Sequence, residues 1–266
     1  MRPSFRARYQ EDVAHRLAHV RRKVLVTEED LADLPPLLKT YLHRVGVVGR
    51  PRVQNFRVRF RGELRNSQES GWMQIRAEQY TFLGHEPARL FLLKASRFGI
   101  PFEASHRFVG PRASMQARVA SIFQVVNAKG PELDQSETVT FFNDLCLLAP
   151  AALLDADVSW GEAYGRTLKG TLRHQGHRVS AILTFDGHGD LVDFVSEDRY
   201  QSRDGRTFLK YPWSTPVQAY GDFTGFHLMS KGDALWLEPA GPFPYARFEV
   251  ELLVYNVGPS AMGTHL

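Results

Sequence analysis

The sequence predicts an α+β fold of mostly antiparallel strands: a curved sheet or unclosed β-barrel of about eleven strands wrapped around central helices, with a helical arm in front. Two observations carry this expectation. Segments 53–126 and 166–255 each alternate apolar and polar residues with a period of two, the mark of antiparallel strands with one face in the core. Between them, segment 136–150 (SETVTFFNDLCLLAP) is the oiliest part of the chain. A helix apolar on most sides must be buried on most sides, so the flanking strands are expected to bend around it and enclose a hydrophobic interior.

In chain order, Phe5, Tyr9, Val13, Leu17, Val20 and Val24 fall on one stripe of a helix whose other faces carry arginines, giving a basic amphipathic arm over residues 1–26. Such an arm either packs on its own domain or makes a peripheral contact with an anionic membrane. Thr27 to Asp30 reads as an N-cap with acidic residues in the first turn, opening a short helix. Pro35 and Pro36 start a second helix over 37–44, which Gly46 and Gly49 end. In the first β series Phe56, Val58, Phe60 and Leu64 alternate with Arg57, Arg59, Arg61 and Glu63, as half-solvated strands do. Segments 73–77, 89–98, 102–109 and 113–126 complete a five-stranded meander. Pro150 divides the central helix in two, and strands are expected over 166–174, 177–185, 191–200, 207–211, 218–229, 234–238 and 246–255. Residues 186–190 and 203–206 are hairpin turns by composition. Residues 27–257 form one β-rich domain, and 258–266 a frayed tail.

Composition narrows the function. A chain of 266 residues, 43% hydrophobic, can bury one large core. The net charge of +4 is concentrated near the N-terminus, and no basic stripe with interleaved aromatics lies elsewhere, so no nucleic-acid partner is expected. The single cysteine, Cys146, lies in the apolar helix; it excludes an internal disulfide and reads as a packed thiol. There is neither a long apolar run nor a secretory leader, which predicts a soluble, cytoplasmic or membrane-peripheral protein.

No phosphate loop, nucleophile elbow or calcium loop occurs, so no cofactor and no catalytic set is assigned. His174 and His177 with Asp186, His188 and Asp190 lie on two hairpins, but their spacing is not that of a zinc site and no metal is expected. More informative are polar residues in oily surroundings. Asn143 and Asp144 sit mid-helix, and a buried carboxylate requires a partner; Arg199 is one candidate. Gln79, flanked by Glu78 and Tyr80, and Trp213, within 211–216, are similar cases. With Phe141 they complete the expected ligand-contacting set: Gln79, Phe141, Asn143, Asp144, Arg199 and Trp213.

The ordered segments 34–42 (LPPLLKTYL), 77–80 (AEQY), 134–137 (DQSE), 148–154 (LAPAALL), 158–160 (VSW), 185–189 (FDGHG), 198–200 (DRY) and 212–213 (PW) resemble a bacterial family of unknown function over residues 31–256. The order of helices, meander, helices and second sheet is also similar to the LolA-like lipoprotein-carrier fold, an unclosed barrel lined by apolar residues and covered by helices. That resemblance implies an apolar ligand such as a lipid or acyl chain. The reading is a non-enzymatic binding protein. Its alternatives are a hydrolase or lipid-modifying enzyme that sets His106, His177 or His227 beside a buried carboxylate, and an interaction module with a filled core.

Overall fold

In the computed structural model, which describes residues 4–17, 24–84, 86–97, 99–120 and 123–259, the alternating segments form one fourteen-stranded sheet in which every pairing is antiparallel. The first series gives six strands: β1 (Asn55–Leu64), β2 (Met73–Phe82), β3 (Ala88–Arg97), β4 (Ile100–Val109), β5 (Arg112–Val119) and β6 (Phe123–Ala128). Segment 113–126 is thus two strands rather than one, interrupted after Val119 where Ala120 takes a left-handed φ of 50°. The second series gives β7 (Val158–Tyr164), β8 (Thr167–His174), β9 (His177–Phe185), β10 (Leu191–Ser196), β11 (Tyr200–Gln201), β12 (Leu209–Lys210), β13 (Trp213–Ser214), β14 (Val217–Phe223), β15 (Phe226–Glu238) and β16 (Gly241–Tyr255). The expected strand 218–229 is a hairpin: Thr224 and Gly225 both have positive φ, 56° and 85°, and reverse the chain between β14 and β15. Short strands and missed turns of this kind raise the count from about eleven to sixteen.

Strand order is β6-β5-β4-β3-β2-β1-β16-β15-β13-β10-β9-β8-β7, with β14 also on β15 and β11–β12 a separate two-stranded ribbon. The outermost strands β6 and β7 do not pair, so the sheet is unclosed. The central helix, α3 (Pro131–Leu147), touches both β5 and β9. Those strands are nine spacings apart, about 40 Å in a flat sheet, whereas a helix is only about 10 Å across. The sheet must therefore curl around α3, and the alternation of its strands decides what faces inward.

Local chemistry fixes α3 in the concavity. At its start Asp134 accepts from the Ala113 backbone N–H at 2.6 Å and from Arg112 at 3.1 Å. At its end the Tyr41 hydroxyl donates to the Cys146 carbonyl at 2.8 Å and Tyr255 to that of Leu148 at 2.5 Å, satisfying carbonyls that a helix terminus leaves open. A 3-10 turn over Pro150–Leu154 follows. Tyr41 belongs to α2 (Pro36–Val45), closed by Gly46 in the left-handed conformation. The Cys146 thiol is buried and burial pushes its pKa up, as befits a packed side chain.

The arm forms α1 (Phe5–Leu17). Val20 and part of the expected arginine face lie outside the described residues, as does 260–266 of the expected tail. Phe5, Tyr9, Val13 and Leu17 are buried on Tyr80, Phe82, Leu90 and Leu92 on the outer face of the sheet. The apolar stripe that a bilayer contact would require is covered by the chain's own strands; Val24, expected on the same helix, lies beyond it and is exposed. For the same reason β2 and β3 depart from the half-solvated pattern: with α1 outside and α3 inside, Ala77 to Phe82 are buried without interruption.

Candidate functional site

Between α3 and the concave face lies a cavity of about 510 Å³, within the range of about 300–1,000 Å³ usual for small-molecule sites. Its sheet wall comes from inward residues of successive strands: Phe60 of β1, Phe91 and Leu93 of β3, Ala104 of β4, Ala117 of β5 and Val126 of β6. Across from these stand Trp213, Trp236, Phe243 and Phe248, while the β11–β12 ribbon closes one side through Tyr200 to Gly205 and Phe208. Gly205 has φ 72°, and a Cβ there would meet Val126 Cγ1 at 2.8 Å, so the ribbon lies directly on β6. Ribbon and helix are joined by Ser136 Oγ, which accepts from the Tyr200 N–H at 2.9 Å, and by Gln135 Nε2, which donates to the Asp198 carbonyl at 2.7 Å.

One stretch of the wall is ionic. Glu137 and Asp144 are two helical turns apart on one face of α3, and Arg89 of β3 reaches both: Nη1 to Glu137 Oε2 at 3.1 Å and Nε to Asp144 Oδ2 at 2.7 Å. Gln79 Nε2 donates to Asp144 Oδ2 at 2.7 Å, and His106 Nδ1 lies 3.5 Å from Glu137 Oε1. Burial opposes ionisation of both acids. For Glu137 the hydrogen bond from His106 and the Arg89 charge outweigh it and hold the carboxyl down at about 2; for Asp144 burial prevails over Arg89 and Gln79, and the pKa is raised. Register explains the convergence: Gln79, Phe91 and His106 are successive partners across β2, β3 and β4.

Five of the six expected site residues line this cavity: Gln79, Asn143, Asp144, Arg199 and Trp213. Phe141 does not. One residue on an α-helix is about 100° of rotation, so Phe141 turns away from its neighbour Thr140, which faces the cavity, and packs on Phe108 and His174 at ring distances of 6.1 and 4.7 Å. Arg199 is not the partner of Asp144; Arg89 is. Arg199 Nε instead donates to Thr140 Oγ1 at 3.3 Å, and its guanidinium lies over Trp213. Asn143 donates to Thr215 Oγ1 at 2.6 Å. Arg89, Glu137 and Trp236 were missed. A signal for Arg89 exists, because parity places it on the inward stripe with Phe91, Leu93 and Ala95, a charge directly beside an apolar run.

The histidines disperse. His177 faces the Pro111 carbonyl at 3.0 Å and His227 lies 3.1 Å from Asp190, itself held by Arg44. Asp186 accepts from the backbone of its own turn. Among the described residues no group of three or more His, Cys, Asp or Glu could hold a metal ion, and no helix is long and apolar enough to cross a membrane.

Solved structures similar to the chain include a domain assigned to outer membrane lipoprotein sorting from Vibrio parahaemolyticus (12% identity, TM-score 0.42, covering 83% of this chain and 92% of that one). A DUF1329 family protein from Desulfovibrio piger gives 11% identity and TM-score 0.43 over 84% and 92% of the two chains. A LolA superfamily protein from Nitrosomonas europaea gives 9% and 0.41 over 90% and 98%. No curated protein matches the sequence. The profile of the family of unknown function DUF6544 matches residues 24–248, which spans α2, α3, the curled sheet into β16 and every cavity residue named above but not α1, and the chain belongs to that family.

Proposed function

We propose that the protein binds an apolar small molecule, a lipid or acyl chain, in the cavity between α3 and the curled sheet. The observation that carries this reading is the unfilled volume of about 510 Å³ behind a predominantly apolar lining. Protein interiors are ordinarily packed to the density of organic crystals, and a void of this size forfeits dispersion contacts along its whole surface. A ligand restores those contacts and removes its own apolar surface from water, at about 25 cal/mol per Å². Catalysis is not required. The enzymatic alternative has His106 beside Glu137 in its favour, but no described hydroxyl or thiol is hydrogen-bonded to that ring to serve as a nucleophile.

Native mass spectrometry of the freshly purified protein tests the proposal. The expected spectrum contains adducts of lipid mass that are lost on denaturation, and delipidated protein regains them from added amphiphile. A protein that carries nothing, and takes up neither fatty acid nor lysolipid, would return the reading to an interaction module.

A further inference from the structure

Resting on that reading, we propose that the ligand is an amphiphile with an anionic head, a carboxylate or phosphate, and that Arg199 receives the head while the chain fills the apolar part of the cavity. Most of the charged groups that line the cavity already have partners. Arg89 is matched by Glu137 and Asp144, and Arg203 by Glu238 at 2.8 Å. Arg65 donates to the Pro244 carbonyl at 2.6 Å. Asp204 spends its oxygens on the Arg206 and Thr207 N–H groups of its own turn, and Asp233 accepts from Gln218. Arg199 has no carboxylate within ion-pair distance among the described residues. Among the described residues its hydrogen bonds, to Thr140 Oγ1 at 3.3 Å and to the Tyr245 hydroxyl at 3.4 Å, are long and go to neutral acceptors. A guanidinium has five N–H donors, so most of its capacity is unused.

The surroundings form a built receptor rather than a stray surface arginine. Trp213, Trp236 and Phe243 are register partners across β13, β15 and β16, and so lie side by side as an aromatic floor. The Arg199 guanidinium stands 4.3 Å from the Trp213 ring centre and 5.1 Å from that of Trp236. Tyr245 steadies the arrangement, accepting from Trp213 Nε1 at 3.1 Å. The two rings hold the guanidinium in place, and the N–H groups beyond its bonds to Thr140 and Tyr245 can meet an oxyanion in charge-assisted hydrogen bonds. Glu137 on α3 feels the Arg199 charge, but its oxygens are bonded to Arg89 and His106 and it makes no ion pair with Arg199. Glu69, on the exposed loop before β2, feels Arg65 and Arg203 rather than Arg199. A half-buried cation facing apolar volume with no acid in direct contact is costly to maintain, and an incoming oxyanion relieves that cost.

Calorimetric titration of the delipidated full chain with palmitate, hexadecyl phosphate, methyl palmitate and hexadecanol provides the test. Charge-assisted hydrogen bonds predict that at least one of the two acids binds about 10- to 100-fold more tightly than the neutral ligands. Whichever acid binds more tightly identifies the head as carboxylate or phosphate. Arg199→Gln should weaken the acids by that factor and leave methyl palmitate unchanged. Equal affinity of acid and ester for the unaltered protein sinks the assignment of an anionic head while leaving the cavity reading intact. An acid preference that survives Arg199→Gln overturns the role of Arg199. Failure of all four ligands to bind removes the cavity reading and this inference together. Should Arg199→Gln not fold, Arg199→Lys replaces it, and the acid-to-ester comparison on the unaltered chain still decides.

Discussion

Two buried ion pairs occupy neighbouring strands of one sheet and face opposite ways. Outside, Arg57 Nε donates to Glu78 at 3.0 Å beneath α1, with Tyr80 under the guanidinium. Inside, Arg89 holds Glu137 and Asp144 beside open volume. The difference lies in the covering helices. α1 meets the sheet with a stripe of Phe5, Tyr9, Val13 and Leu17, apolar but for the Tyr9 hydroxyl beside Glu78, which packs on apolar strands and seals the pair below. α3 presents Leu133, Ser136, Glu137, Thr140, Asn143, Asp144 and Leu147 to the cavity, a stripe more than half polar, and its polar members reach the walls as individual hydrogen bonds. An apolar stripe closes a face; a mixed one spans it and leaves room.

Four measurements sharpen or break this contrast. The largest effect is expected from Arg89→Met, which strands two buried carboxylates and should cost about 3–5 kcal/mol in urea unfolding. It should exceed Arg57→Met; equal losses would mean that Gln79 alone suffices for Asp144. Next comes acid sensitivity. Glu137 is held at about 2 in the fold against an ordinary value of 4.5, so its contribution is complete above about pH 4.5 and is lost as pH falls through about 2. Over that window the unaltered protein should lose about 3 kcal/mol more than Glu137→Gln, read from melts at successive pH values; parallel curves would contradict the ionised pair.

Asp144→Leu should be milder, about 1–3 kcal/mol, because Arg89 keeps Glu137 and Gln79 keeps Thr81. A loss as large as that of Arg89→Met would make Asp144, rather than Glu137, the principal tie between helix and sheet. The smallest change is expected outside. The Tyr80 hydroxyl is buried without a hydrogen-bond partner, so Tyr80→Phe should shift stability by less than about 0.5 kcal/mol. A loss above about 1 kcal/mol would reveal a polar tie beneath α1 and blur the distinction between the two faces.

Much of this was legible in the residues. Period-two runs located most strands, and the oily segment located α3, because both signals arise from burial itself. That Phe141 points away from the cavity is not legible in the sequence, because a helix buried all round offers no polar face from which to read orientation; only the stripe through Glu137, Thr140 and Asp144 distinguishes the cavity side. The partner of Asp144 could not be found by proximity in sequence, since Arg89 lies 55 residues away and is brought there by strand register. The turn at Ala120 carries neither glycine nor asparagine at its left-handed position, and that at Thr224–Gly225 has its glycine but threonine where asparagine or aspartate gives the usual hairpin signal.

The β11–β12 ribbon shares no ladder with the main sheet. Side-chain bonds tie it down, among them those from Gln135, Ser136, Gln201 and Arg203. Lifting it therefore breaks no pairing of the fourteen-stranded scaffold, which is the condition under which a segment can open locally without global unfolding. On the proposed reading, residence time and fit become separable: a substitution at Leu209 or Lys210, ribbon residues that do not line the cavity, would change how long a ligand stays without altering the walls that hold it.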